Sequence, residues 1–333
     1  MPSSSQLSQL KDKEVLITGG CGFIGSEIVK QLSLIGANVT ILDNLSSGKE
    51  KYIEKFSNVK LIIGDLVDYD LVKDVVKNKE YIINAAALPF IPDSFHIPKK
   101  FFEVNVNGTI NMALATIKEK KAKRFVHISS SEIYGTAKYT PMDENHPTTP
   151  QSTYAVSKLA GERVVFTMHK EHNFPAVIIR PFNSFGPNIT QPYIIPEIIS
   201  QIERSDVIKL GNLNAKRDLT YVSDTVNGII LSLVKEGIVG EVINIGSQRS
   251  YSIKDLVYLI SDIMGKKVSI EIESSRFRPY DVDTLICNYE RANKILGWKP
   301  EVTVREGLKN TIEWSKKEGI DIGPPFSERY ETE

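Results

Sequence analysis

Tyr154 and Lys158 stand four residues apart in a segment with helical patterning, so their side chains share one face, a turn apart. A phenol beside an ammonium is a proton-transfer pair. The positive charge favours phenolate and lowers a tyrosine pKa that is ordinarily about 10. That makes Tyr154 a candidate general base near neutral pH, with Lys158 as its partner. Upstream, an apolar run ends in Ser129-Ser130-Ser131-Glu132-Ile133-Tyr134-Gly135. A hydroxyl at such a strand end can hydrogen-bond a substrate alcohol beside the tyrosine, and Glu132 adds a carboxyl. Tyr/Lys pairs at this spacing are common by chance, so the pair draws its weight from this company.

A second chemistry lies nearer the N-terminus. The apolar run Glu14–Thr18 leads into Gly19-Gly20-Cys21-Gly22-Phe23-Ile24-Gly25, and a helical pattern follows from Ser26 to Ile35. Glycines 19, 22 and 25 suit a tight turn, a close backbone approach to a pyrophosphate, and close helix–strand packing. The helix N-terminus adds free N–H groups and partial positive charge. A second strand ends at Asp43. An acid there can bond both adenosine ribose hydroxyls and repel a 2′-phosphate, which favours NAD over NADP. Cys21 reads as a small packing residue of the loop rather than a reactive thiol.

The elements that must position these groups alternate. Strands are expected at 14–18, 38–42, 59–63, 81–84, 124–128 and 176–180. Helices are expected at 26–35, at 70–77 with Asp70 as cap, from about 99 to 120, and from about 152 to 172. Strands without polar alternation, separated by helices, imply a parallel sheet buried on both faces. The C-terminal ends of such strands are where ligands bind, and both motifs fall there. After Pro181 the elements shorten: helices at 195–203, 224–235, 253–264, 290–296 and 304–316, strands at 207–210, 219–222 and 241–245, and a polar loop at 276–281. The boundary falls near 180, giving 1–180 as a dinucleotide-binding domain and 181–333 as a second lobe, with 241–245 able to rejoin the main sheet.

Composition narrows the function classes. The 333 residues suit about two domains at roughly 150 residues each. Lys plus Arg and Asp plus Glu are both 41, so the chain has no bulk field for nucleic acid or an anionic membrane. Hydrophobic residues at 41% are enough to fill a core. No apolar run reaches the ~20 residues of a membrane span, and Met1–Gln6 reads as a frayed lead-in rather than a secretory signal. Cys21 and Cys287 do not make a disulfide framework or a zinc site, so a reduced, cytoplasmic setting and no metal are expected. His127 reads as a packed structural histidine and Tyr134 as structural.

Taken together, these stretches resemble the NAD-dependent nucleotide-sugar epimerase/dehydratase family of extended short-chain dehydrogenases/reductases. The resemblance runs from Gly19 to about Trp314. It includes Asp43–Gly48, Gly64-Asp65-Leu66, Asn84–Ala87, Asn105–Thr109, Ser129–Gly135, Tyr154–Lys158, Arg180–Pro187, Arg217-Asp218, Arg278–Asp281 and Leu296-Gly297-Trp298. It implies an α/β fold: a Rossmann-like doubly wound parallel sheet with a smaller C-terminal α/β substrate-binding lobe. It implies NAD contacts from Gly19, Gly22, Phe23, Ile24, Gly25, Asp43, Asn44, Asp65, Leu66, Ala85, Ala86, Ala87, Asn105, Tyr154, Lys158 and Pro181. Ser130, Glu132, Tyr154 and Lys158 become the catalytic set. Ser131, Asn183, Arg217 and Arg278 become substrate contacts, the arginines at the diphosphate of a nucleotide sugar, with a UDP-sugar favoured. A homodimer through helices 99–120 and 152–172 is also implied.

Members of that family begin alike: the tyrosine takes the proton of the sugar C4 hydroxyl, NAD takes the hydride, and the 4-keto sugar acidifies C5–H. By the resemblance, Glu132 occupies the place where 4,6-dehydratases carry a glutamate and simple 4-epimerases a small or neutral residue. Ser131-Glu132 departs from the Asp-Glu of glucose-type dehydratases. It is similar to the Ser-Glu of GDP-mannose and some UDP-N-acetylglucosamine dehydratases, the latter being the nearest match. Dehydration is therefore the expectation. 4-Epimerisation, UDP-glucuronate decarboxylation and, outside enzymes, a non-catalytic NAD-binding scaffold remain open.

Overall fold

A computed structural model describes residues 7–320; the N-terminal lead-in and the last residues lie outside that range. Strands β1 (Glu14–Thr18), β2 (Asn38–Asp43), β3 (Val59–Ile63), β4 (Tyr81–Asn84), β5 (Arg124–Ile128), β6 (Ala176–Pro181) and β10 (Val242–Ile245) form one parallel sheet in the order β10-β6-β5-β4-β1-β2-β3. Val15 of β1 faces Val39 on one side and Tyr81 on the other. The strand order reverses between β1 and β4, and a crevice opens beyond their C-terminal ends. Both motifs converge on it.

Alternation within the strands explains their unbroken apolar character. Val15 and Ile17 join one core with helices α1 (Phe23–Ile35) and α7 (Val222–Val234). Leu16, Ile82 and Phe125 join the other, with α2 (Tyr69–Val76), α4 (Thr109–Glu119) and α5 (Thr153–His172). The β10 strand does rejoin the main sheet, pairing with β6 from Val242–Ile178 to Ile245–Pro181. The second lobe holds β7 (Asn183–Phe185), β9 (Lys216–Tyr221), β11 (Ser250–Ser252) and β13 (Thr284–Leu285) in one sheet, and β8 (Val207–Leu210) with β12 (Ser269–Ile272) in another. Helices α6 (Ile194–Arg204), α8 (Ile253–Met264) and α10 (Val304–Glu318) pack there around Phe185, Ile198, Leu219 and Leu256. The short α9 (Glu290–Leu296) packs on the main core.

Several boundaries differ from the pattern reading, each for a local reason. The first helix begins at Phe23, directly after Gly22, without waiting for Ser26. Asp68, not Asp70, caps α2, accepting from the Leu71 N–H at 3.0 Å. The long helix from 99 is broken into α3 (Pro98–Phe102), a π-helical segment (Glu103–Gly108) and α4. The break coincides with Asn105, whose amide turns inward to hold Leu88 and Ser157. The 219–222 strand runs from Lys216 to Tyr221, and the following helix starts at Val222 because Asp224 is not its cap: its carboxylate accepts from the Glu301 and Val302 N–H groups.

Candidate active site

Two adjoining cavities occupy the crevice. The smaller, about 160 Å³, is lined by Gly19, Gly22, Phe23, Ile24, Gly25, Asp43, Asn44, Asp65, Leu66 and Ala85–Ala87. Its wall is mostly backbone. Gly19 has φ +72°, and a Cβ there would lie 2.8 Å from the Ala86 Cα; a Cβ on Gly25 would lie 1.9 Å from the Gly19 carbonyl oxygen. At these two positions the loop, folded against the start of α1, has no room for a side chain. The Thr18 hydroxyl accepts from the Ala85 and Ala86 N–H groups and donates to Asn84 Oδ1, stitching the end of β1 to the end of β4.

Asp43 does more than face this cavity. Its Oδ2 accepts from the Cys21 N–H at 2.9 Å and its Oδ1 from the Leu45 N–H at 2.8 Å, so the carboxylate also fixes the glycine loop and the turn after β2. Asn44 donates to Asp65 Oδ2 at 2.8 Å, tying the turns after β2 and β3 together. Burial, and then the Asp43 charge, push the Cys21 thiol up to about 12, leaving it protonated and inert. A glycine cradle closed to Cβ atoms, a helix N-terminus and an acid at the end of β2 fit a dinucleotide.

The larger cavity, about 390 Å³, is lined by Ser130, Ser131, Glu132, Tyr154, Lys158, Pro181, Asn183, Arg217 and Arg278. Every residue expected to act on or bind the substrate is therefore on one wall system. Phe23, Ile24, Ala85, Ala87, Ile128 and Tyr193 border both cavities. Tyr154, Lys158 and Pro181 lie on the cleft side of that border. Asn105, expected as a cofactor contact, lies on neither wall. Its amide bonds the Leu88 backbone and Ser157 Oγ, bracing the wall from behind.

The proton-transfer groups are strongly perturbed. Burial pushes the Tyr154 phenol up to about 12; its hydrogen bond with Ser130 pulls down and the Glu132 charge pushes up. The expected lowering by Lys158 is not a feature of the bare protein. That ammonium is buried and donates to the Ile128 carbonyl at 2.6 Å. Burial lowers it to about 8, against the opposing pull of Glu162. Glu132 sits in a short 3-10 turn (Ser131–Tyr134), its own N–H held by Ser130 Oγ at 3.2 Å. Burial raises its carboxyl, while Arg217 and Arg278 pull it down and Asp281 pushes it up. Arg217 and Arg278 both reach Asp281 Oδ1, at 3.3 and 3.2 Å. Asn183 Oδ1 is buried without a hydrogen-bond partner among the described residues. Tyr134 is structural, its hydroxyl held by Arg180 and Asn244. His127 is fully buried against Asn84, and burial followed by the nearby Lys158 charge keeps it neutral.

Three residues escaped the sequence reading. Asp281 gathers the two arginines, Tyr193 borders both cavities, and Glu162 is buried behind Ser129 and Arg180. Glu162 carried a usable signal: it follows Lys158 by four residues, as Lys158 follows Tyr154. Among the described residues there is no group of three or more metal-binding side chains and no helix long and apolar enough to cross a membrane.

A doubly wound sheet whose glycine-walled cavity opens onto a Ser/Tyr/Lys cleft defines an extended short-chain dehydrogenase/reductase. The family model described as GDP-mannose 4,6 dehydratase matches residues 16–311, and the chain belongs to that family. A putative UDP-glucose 4-epimerase of Methanocaldococcus jannaschii is 31% identical, covering 91% of this chain and 98% of that protein. A dTDP-D-glucose 4,6-dehydratase of Bos taurus is 32% identical, over 94% of this chain and 95% of that one. Among solved structures, the dTDP-glucose 4,6-dehydratase DesIV of Streptomyces venezuelae, with NAD and TYD bound, superposes with a TM-score of 0.84 at 26% identity, covering 91% of this chain and 97% of that one.

Proposed function

We propose that this chain is an NAD-dependent enzyme that modifies a nucleotide-activated sugar through a 4-keto intermediate, and that the modification is 4,6-dehydration. The family membership and the relatives' activities support the first part. Gly19, Gly22, Gly25 and the start of α1 would hold the NAD pyrophosphate, and Asp43 the adenosine ribose. NAD, when bound, supplies the oxidant at sugar C4 and a positive charge on its ring. Tyr154 takes the proton of O4 and Ser130 holds the same oxygen; the Lys158 ammonium, one turn away, would join the charge on the bound nicotinamide ring in favouring phenolate. Arg217 and Arg278 take the diphosphate, and the unpartnered Asn183 amide oxygen is free to accept from the sugar.

One observation carries the choice of dehydration: Glu132 is buried on the same cleft wall as Ser130 and Tyr154, with its carboxyl raised by burial. Such a group can take the C5 proton as base and, once protonated, give it to the departing C6 oxygen as acid; the hydride removed from C4 would then return to C6 and a proton to C5, so that the net change is the loss of one water. Epimerisation at C4 is the second reading, favoured by the Methanocaldococcus jannaschii relative. A panel of UDP-, GDP-, dTDP- and CDP-sugars, read by product mass, separates the cases. Loss of one water is dehydration, loss of CO₂ is decarboxylation, and unchanged mass with new stereochemistry is epimerisation. In Glu132→Gln the 4-keto intermediate should still form while loss of water falls by about a hundredfold or more. Normal dehydration by that variant overturns the role of Glu132.

A further inference from the structure

Behind the cleft, one carboxylate joins three segments that carry the site. Glu162, completely buried on α5 one turn past Lys158, accepts from Ser129 Oγ at 2.7 Å and from Arg180 Nε and Nη2 at 2.9 and 2.6 Å. Ser129 immediately precedes Ser130 at the end of β5, and Arg180 immediately precedes Pro181 at the end of β6. The chain of contacts continues: Arg180 Nη1 donates to the Tyr134 hydroxyl at 2.6 Å, and that hydroxyl donates to Asn244 Oδ1 on β10 at 2.8 Å. Tyr134 closes the turn that carries Glu132.

We propose that Glu162 is a positioning residue for the Ser130–Tyr154–Lys158 centre, fixing β5, α5 and β6 relative to one another and placing a negative charge behind the Lys158 ammonium. The proposal rests on the reading of that centre as the one that oxidises C4. A buried ion pair is a poor choice if stability is its sole service, because apolar replacements of similar volume are often neutral or stabilising. What the pair supplies over an apolar plug is direction: a planar guanidinium and a carboxylate lock one another's headings, and with them the ends of two strands. Glu162 on its own helix, and His127 and the Ile128 carbonyl from β5, face Lys158, and Tyr154, one turn earlier, lines the same cavity. His127 is neutral, so among these groups Glu162 supplies the charge that opposes the lowering of the ammonium by burial. Its removal must lower the lysine pKa below about 8, and activity that needs the ammonium is then lost at lower pH.

The test mixes the NAD-loaded protein with a sugar nucleotide that the wild type converts and follows NADH absorbance against pH. In Glu162→Gln the rate of C4 oxidation should fall about tenfold to a hundredfold, with NAD affinity and sugar KM within about threefold of wild type. The alkaline limb of the profile should move to lower pH. Because that variant leaves Arg180 buried and unpaired, Glu162→Gln with Arg180→Met provides a second test with no orphaned charge. It should show the same loss of rate, with a smaller shift of the limb. A folded variant that keeps the wild-type rate and limb overturns the proposal. So does activity that falls only in proportion to the folded fraction, or failure of both variants to fold, since either assigns Glu162 to stability alone. A wild type silent with every sugar nucleotide overturns the reading of the centre itself, and the proposal with it.

Discussion

The two cavities that meet at Ile128 and Tyr193 are made of different material. The glycine-walled one is built from backbone: a positive φ at Gly19, a Cβ-free approach at Gly25, and the first turn of α1. Its residues come mostly from the ends of β1, β2, β3 and β4 and the start of α1, with Ile128 of β5 and Tyr193 at its border. The cleft is built from side chains, many of them charged or buried polar, on β5, α5, β6, β9 and the loop after β12. Backbone geometry rejects most substitutions but says little about what reacts. Side-chain geometry can be re-aimed by one replacement. On the proposed reading, relatives with different reactions can share the first cavity while the second sets the reaction.

The largest expected effect separates the two regions outright. Tyr154→Phe removes the proposed base and leaves the glycine wall untouched, so C4 oxidation should fall by about a thousandfold or more with NAD affinity nearly unchanged. Stopped-flow absorbance and an NAD titration check both halves. Retained turnover ends the assignment of Tyr154, and lost NAD binding shows that the cavities are not separable. Gly25→Ala is the converse. The new Cβ meets the Gly19 carbonyl oxygen, which cannot step aside as a side chain could. The loop must distort, at a cost of at least ~2 kcal/mol in stability, and NAD affinity should fall with it. Thermal melts with and without NAD read both. An unchanged melt and affinity would show that the cradle is more pliant than its packing implies.

This division also explains what the sequence discloses. The sheet, its burial on both faces and the glycine loop are legible because local patterns create them: unbroken apolar strands, helical periodicity, and glycines between a strand and a helix. The Tyr154–Lys158 face is legible for the same reason, as a spacing within one helix. Asp281 is not, because its meaning depends on Arg217 arriving on β9 from a distant stretch of chain. Asn105 is legible as a residue of the site, but nothing in its neighbours says which partners its amide takes, Leu88 and Ser157. Of the electrostatics, the groups that meet are legible and the depth of their burial is not. Before any cofactor charge is added, burial pushes the Tyr154 phenol up and the Lys158 ammonium down, and the ammonium donates to the Ile128 carbonyl.

Asp43 gives the smallest expected effect and the finest test, because it belongs to both kinds of construction. As a charge it should repel a 2′-phosphate; as an acceptor it holds the Cys21 and Leu45 N–H groups. Two replacements divide these roles. Asp43→Asn removes the charge and keeps one acceptor oxygen, so NADPH affinity should rise by about tenfold while NADH affinity falls by less. Asp43→Ala also frees both N–H groups, so the loop loosens and both nucleotides bind more weakly, with NADH losing more. Fluorescence titration of the two reduced nucleotides against each variant gives the ratio directly. If Asn and Ala behave alike toward NADPH, the carboxylate acts chiefly as a brace for the glycine loop. The preference for NAD must then come from the backbone wall, and the contrast between the two cavities extends to cofactor choice as well.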